Sequence, residues 1–430
     1  MSNLSRRKFL ITAAGSAAGA MWLAACGGSK PSSKSTATGA EAPEVSGVTL
    51  GFIALTDSSP LIIAKEKGFF AKHGMPDVKV VKQTSWAVTR DNLELGGERG
   101  GIDGAHILSP MPLLMAAGKI TKSKQPLPMY TLARLNLQGQ AISASKELLD
   151  EKLTIDNKEG LAKASKSLGR KIKAAVTFPG GTHDLWMRYW LSANGVDPNK
   201  DADLVVIPPP QMVANMKTGT MDLFCVGEPW NQRLVNKKLG YTAAQTGELW
   251  DKHPEKSFSM RADWVDKNPK AAKALLMAVQ EAQIWCQDPA NLNELCEIVS
   301  KDKYIKAKVE DIKPRLAGNV NYGDGRDVKN SPYKMLFWDS NASFPFKSHD
   351  AWFVTEDMRW GYLPADTDID ALVNKVNRAD LWKEAAKAIG MAKDIPASDS
   401  RGKETFFDGV VFDPENPKAY LDSLKIKAMA

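Results

Sequence analysis

Apolar and polar positions along the body of this chain run through one order of elements, and that order occurs twice. The first pass opens on an apolar run from Val48 to Leu55 and a loop ending at Pro60. A helical pattern closes at His73-Gly74, and an extended run follows from Val78 to Val81. The loop Gln83-Thr84-Ser85-Trp86 then leads into a helix ending at Leu95-Gly96, and the pass closes on the strand pattern Asp103 to Leu108 with Pro110. The second pass begins with Lys171 to Val176, a Gly-Gly turn and a helix to Asn194-Gly195. It continues through Leu204 to Ile207, the loop Pro208 to Gln211 and a helix to Thr218-Gly219, closing on Asp222 to Val226 and Pro229. In each pass a helix-ending glycine leads to an Asp-headed strand, with a proline seven residues after that Asp.

Strands joined by crossover helices predict an α/β fold with parallel pairing, here as two similar lobes. Ligands of such sheets sit outside the carboxyl ends of the strands. The first lobe therefore offers Thr56 to Ser59, Gln83 to Trp86 and Ser109. The second offers Pro179 to His183, Pro208 to Gln211 and Gly227 to Trp230, and lobes that face each other line one cleft with these loops. The turn Pro179-Gly180-Gly181-Thr182-His183-Asp184 stands out. Its glycines let backbone N–H groups face outward where the first helical turn leaves them unpartnered, which suits an anion. Thr182 fits the N-cap, Asp184 complements the helix dipole, and Arg188 lies four residues on to pair with it. Leu185, Trp186, Tyr189, Trp190 and Ala193 share one face. The Gly-Lys-Ser/Thr ending of a phosphate-binding loop is absent.

Two extended segments about Arg134-Leu135-Asn136, within Leu127 to Ser145, would carry the chain into the second lobe. Phe258-Ser259-Met260-Arg261, after His253-Pro254-Glu255-Lys256, would bring it back. The expected lobes are 48–139 with 257–430, and 140–256. Helices follow at Asn268 to Gln287 and Asn291 to Ser300, and the tail from Lys301 carries a helical Ile369 to Ile389 and a short final helix. That tail is expected to pack on the first lobe, partly beside the crossings.

Residues 1–26 read as an export signal. Ser5-Arg6-Arg7-Lys8 precedes a short apolar stretch, and Leu23-Ala24-Ala25-Cys26 resembles a bacterial lipobox whose cysteine takes lipid. The run is too short and too rich in Ala and Gly for a membrane span. Residues 27–47 are mostly Gly, Ser, Thr, Ala and Pro, with almost nothing to bury, and read as a flexible tether. Loss of Arg6, Arg7 and Lys8 with the signal lowers the formal charge from +7 to +4. So small and scattered an excess argues against nucleic acid and is compatible with anionic ligands. Beyond Cys26, Cys225 lies in a buried-strand pattern as an inert thiol, while Cys286 and Cys296 are compatible with either a bridge or two core thiols. No metal-ligand spacing occurs, and no nucleophile stands with a base. Asp103 and Asp222 read as strand-edge or turn residues.

Further motifs are Leu61-Ile62-Ile63-Ala64-Lys65-Glu66-Lys67-Gly68-Phe69-Phe70, Ser85-Trp86 with Thr89-Arg90-Asp91-Asn92, and Ile102 to Leu108. Gly139-Gln140-Ala141-Ile142, Gly227-Glu228-Pro229-Trp230 and His253 to Trp264 complete the set. With the lipobox and the duplicated lobes, they make the chain resemble the substrate-binding lipoproteins of ABC importers. Within these it is most similar to the nitrate- and bicarbonate-binding family of cyanobacterial type. The resemblance implies a two-lobed, type II-like periplasmic-binding-protein fold, each lobe a mostly parallel sheet with flanking helices. It also implies an extracytoplasmic, membrane-anchored location, permease and ATPase partners, no cofactor and no catalysis.

In that family a small planar oxyanion is held by a tryptophan, a glutamine, a histidine, a glycine amide and one variable residue. Carried over by motif, these are Trp86, Gln140, His183, Gly227 and Lys256, with Gln138 the alternative to Gln140. A lysine after His-Pro-Glu marks the nitrate binders, and an acidic residue with a metal marks the bicarbonate binders. Nitrate has three acceptor oxygens and no proton to give, so a donor-only pocket suits it, with Lys256 facing the cleft and Glu255 facing away. Nitrite, bicarbonate and sulfonates stay open as ligands, as do a two-lobed enzyme or an anion sensor as alternative classes.

Overall fold

The structure is a computed structural model and describes residues 42–428. The export signal, the lipobox with Cys26 and the tether up to residue 41 lie outside the described residues. Two five-stranded sheets carry the fold, and the doubled pattern is why they match. The first contains β1 (Thr49–Phe52), β2 (Lys79–Lys82), β3 (Gly104–Leu108), β4 (Met129–Leu137) and β10 (Pro254–Arg261), in the order β2-β1-β3-β10-β4. The second contains β5 (Gln140–Ser145), β6 (Ile172–Val176), β7 (Ala202–Val206), β8 (Leu223–Gly227) and β9 (Gly240–Gln245), in the order β7-β6-β8-β5-β9.

β1 runs parallel to β2 and β3, and β6 runs parallel to β7 and β8, as crossover helices require. Each sheet is nevertheless mixed: β10 is antiparallel to β3 and β4, and β5 is antiparallel to β8 and β9. These reversed strands are the ones that arrive from the opposite lobe. No crossover helix turns them round, so they run against their neighbours. The chain leaves the first sheet at Gln138-Gly139, where both residues have positive φ, and Arg134 to Asn136 lie inside one continuous strand, β4, and not between two extended segments. It rejoins the first sheet at Pro254, ahead of the expected 256–257 boundary. Gln138 ties the two crossings together, because its amide oxygen accepts from Lys252 N at 3.0 Å.

The inner strands are buried on both faces. Ile172, Ala174, Val176, Leu223 and Cys225 join one apolar cluster, while Ala175, Phe224 and Val226 join the other. That is the period of two expected of a strand covered on both sides. Cys225, Cys286 and Cys296 are buried free thiols.

The tail departs from expectation, for it does not stay with the first lobe. Helix Lys347–Arg359 lays Trp352 against Trp186 and Trp250 of the second half, with ring centroids 4.9 and 5.1 Å apart. Trp382, further along, packs instead on Phe344 and accepts at its carbonyl from Gln280 at 3.1 Å. The tail is rich in large aromatic rings, and these find apolar partners on both lobes. Its predicted helix over 369–389 is interrupted at Asn377-Arg378. There Arg378 N–H donates to Thr131 at the free edge of β4, and a backbone group spent on a sheet edge cannot continue a helix.

Candidate functional site

The five residues carried over by motif converge where the strand ends of the two sheets face each other. Trp86 opens the helix Trp86–Leu95, whose cap residue Ser85 accepts from Val88 N at 3.2 Å, and its ring is fully buried. Gln140 heads β5 and pairs across the ladder with Gly227 at the end of β8. His183 lies in the first turn of the helix Thr182–Ala193, and Lys256 lies in β10 between β3 and β4. Gln138 is engaged elsewhere, its amide N–H groups going to the Pro332 and Lys334 carbonyls.

Sequence reasoning did not single out the group at the centre, Asp57, although it had placed the Thr56 to Ser59 loop at the cleft. Asp57 Oδ1 lies 2.6 Å from His106 Nε2, and Oδ2 lies 3.0 Å from both Gln140 Nε2 and Lys256 Nζ. A carboxylate only accepts, so this contact set fixes proton positions around it. Ile53 N–H donates to His106 Nδ1, so the His106 proton sits on Nε2 and points at Asp57. Gln140 turns its NH₂ to Asp57 and its oxygen to His183 Nε2 at 2.9 Å. His183 therefore carries its proton on Nε2, while Nδ1 accepts from Thr177 at 2.6 Å.

Burial drives the His183 pKa far down, and Lys256 beside it adds to the effect, so the ring is neutral. Burial alone would raise Asp57, but Lys256 and His106 outweigh it and hold the carboxyl well below its usual range. Lys256 is raised: Asp57 and Glu255 overcome the burial that opposes its charge.

Glu255 corrects the expectation of alternating side chains. Its Oε1 is 2.7 Å from Lys256 Nζ, Thr182 donates to the same oxygen, and Trp186 Nε1 donates to Oε2 at 2.7 Å. The cause is a register shift in which Pro254 and Lys256 oppose adjacent residues of β4, leaving Glu255 as the extra residue of a bulge. Thr182 is accordingly not the N-cap. Gly181 holds that position, and Asp184 takes up Gly180 N at 2.9 Å while pairing with Arg188 at 3.0 Å. The pocket is thus not donor-only, because two carboxylates flank its lysine.

One donor is left over. Trp86 Nε1 is buried and has no hydrogen-bond partner, although the ring lies 5.4 Å from that of His106 and 5.9 Å from Lys256 Nζ. Gly227 leaves the room: a Cβ there would stand 2.5 Å from Gln140 Oε1 and 3.1 Å from Asp57 Oδ2. Across the cleft Thr56 N donates to Glu228 O at 2.8 Å and Trp230 Nε1 to Ala54 O at 3.1 Å, drawing the halves together around these residues.

The profile of the NMT1-like family matches residues 41–300, more than half of the chain. The chain belongs to the NMT1-like family. It is 71% identical over 441 residues to the nitrate/nitrite binding protein NrtA of Synechococcus elongatus, covering all of both chains. To the bicarbonate-binding protein CmpA of the same organism it is 44% identical over 444 residues, 99% of this chain and 98% of that one. The crystal structure of the periplasmic nitrate-binding protein NrtA from Synechocystis PCC 6803 superimposes with a TM-score of 0.87 at 58% identity. That match covers 90% of this chain and 100% of that one, so this NMT1-like protein has the two-lobed binding-protein fold.

Proposed function

We infer that this protein is the extracytoplasmic solute-binding component of an ABC importer, that its ligand is nitrate, and that it hands nitrate to the permease and ATPase subunits. The observation that carries the ligand reading is the unpartnered Trp86 indole N–H beside Lys256. A buried donor without a partner costs about 1–3 kcal/mol, and an acceptor-rich anion relieves that cost. Bicarbonate would in addition need an acceptor for its hydroxyl. Asp57 already accepts from His106, Gln140 and Lys256, and Glu255 from Thr182, Trp186 and Lys256. Three of about four acceptor sites are taken on each carboxylate, so little acceptor capacity is left for that hydroxyl, whereas the Trp86 donor has no partner at all. The protein binds and releases its anion without changing it.

Trp86→Phe keeps the ring and deletes the N–H. Nitrate affinity is expected to fall about tenfold to a hundredfold, the value of a hydrogen bond to a charged group. Stability without nitrate is expected to hold or rise, because an orphan donor has gone. Calorimetric titration with nitrate and bicarbonate, paired with urea unfolding, measures both. Unchanged nitrate affinity, or bicarbonate binding more tightly than nitrate in the parent protein, would sink the reading.

The same reading anchors the body to the membrane by lipid on Cys26, through the 27–47 tether, and holds the anion between the lobe of 48–139 with 257–430 and the lobe of 140–256. Cys26→Ser is expected to shift the protein from the membrane fraction to unprocessed or soluble forms. A mature parent protein lacking acyl mass would overturn the anchor and leave the ligand reading intact.

A further inference from the structure

A groove of about 500 Å³ opens between the lobes, and Lys82, Lys217, Arg233, Lys237 and Lys306 all line it. None of its lining residues is acidic. Its place in the fold follows from the sheet orders. Lys82 ends β2 and Pro210 follows β7, and these are the edge strands farthest from β4 and β9, beside which the chain crosses between lobes. The groove therefore lies on the side of the cleft away from the crossings. Its inner wall is Ala54 and Trp230, joined by the indole hydrogen bond across the cleft. Each is three residues from a site residue, Asp57 and Gly227 respectively.

The cations are poorly compensated. Arg233 reaches Asp311 at 4.0 Å and Lys306 reaches Asp302 at 3.6 Å, while Lys82 Nζ has the Asp302 carbonyl at 2.8 Å. Among the described residues, Lys217 and Lys237 have no carboxylate in ion-pair range. Burial and the like charge of Lys306 lower the Lys82 pKa, as expected where ammonium groups face one another. Clustered like charge does nothing for folding, yet at a cleft mouth with low-dielectric walls it concentrates an anion and steers it inward.

We propose that this groove is a second anion site, an encounter vestibule that gathers the small monovalent oxyanion at the mouth of the cleft before the buried site takes it. The proposal rests on the oxyanion reading of the buried site. It also puts the attraction for the anion at the mouth, whose lining cations carry no acidic neighbour in the lining, and not beside the two carboxylates of the buried site.

The test is the triple variant Lys82→Gln, Lys217→Gln, Lys237→Gln, three exposed side chains with no contact to the buried site. Nitrate association is followed by stopped-flow tryptophan fluorescence, with equilibrium affinity from calorimetry. At about 20 mM ionic strength the association rate should fall about tenfold with dissociation unchanged, and parent and variant should converge near 0.5 M salt. Association within twofold of the parent at low salt, or a change confined to dissociation, overturns the vestibule while nitrate binding stands. Failure of the parent protein to bind nitrate by calorimetry overturns the oxyanion reading and the vestibule with it.

Discussion

Lys256→Gln is expected to lose more than a hundredfold in nitrate affinity and to unfold at a markedly lower urea concentration. Two effects add. The anion loses a charge-assisted hydrogen bond, worth about 1.5–3 kcal/mol. The protein also loses the cation that sits 3.0 Å from Asp57 and 2.7 Å from Glu255, with all three side chains fully buried. Removing one partner of a buried ion pair costs about 3–5 kcal/mol, because the other charge stays without compensation. The charge left uncompensated on Asp57 sits directly against Gln140, which in turn bonds His183. Lys256→Glu should be worse, placing three carboxylates in one desolvated site. Calorimetry at one ionic strength and urea unfolding on the same samples check this. Parent-like affinity in either variant would remove Lys256 from the site.

Trp352→Ala should destabilise the protein by about 3–5 kcal/mol, the usual cost of deleting a buried tryptophan side chain. Trp352 is fully buried, stacks on Trp186 with an interplanar angle of 18° and donates from Nε1 to Tyr420 Oη at 3.2 Å. The effect reaches the site, because Trp186 holds Glu255 by its own indole N–H at 2.7 Å. With the ring behind it gone, Trp186 can shift into the cavity and release that carboxylate, so nitrate affinity should fall several-fold with the stability. A loss below about 1 kcal/mol in urea unfolding would show that the tail's aromatic helix is not a structural support of the second lobe.

Much of this was legible along the chain because it is local. Val48 to Leu108 and Lys171 to Val226 repeat one order of strand, turn and helix, and that periodicity alone implied two like lobes with parallel pairing. The motifs placed Trp86, Gln140, His183, Gly227 and Lys256 in the loops and strand ends where such sheets gather ligands.

What the sequence could not decide was long-range. Asp57 and Lys256 are 199 positions apart, and nothing near Asp57 reveals that it collects donors from β3, β5 and β10. The bulge that turns Glu255 inward arises from how β10 registers on β4, a property of two strands from distant parts of the chain. The tail's aromatic residues announced burial but not a partner, since hydrophobic attraction has no direction and either lobe offered apolar surface. Local periodicity thus determined the two like lobes and pointed to the loops between them, whereas the charge balance among the candidate residues and the attachment of the tail came from packing between distant segments, where burial makes every unpaired charge or donor costly.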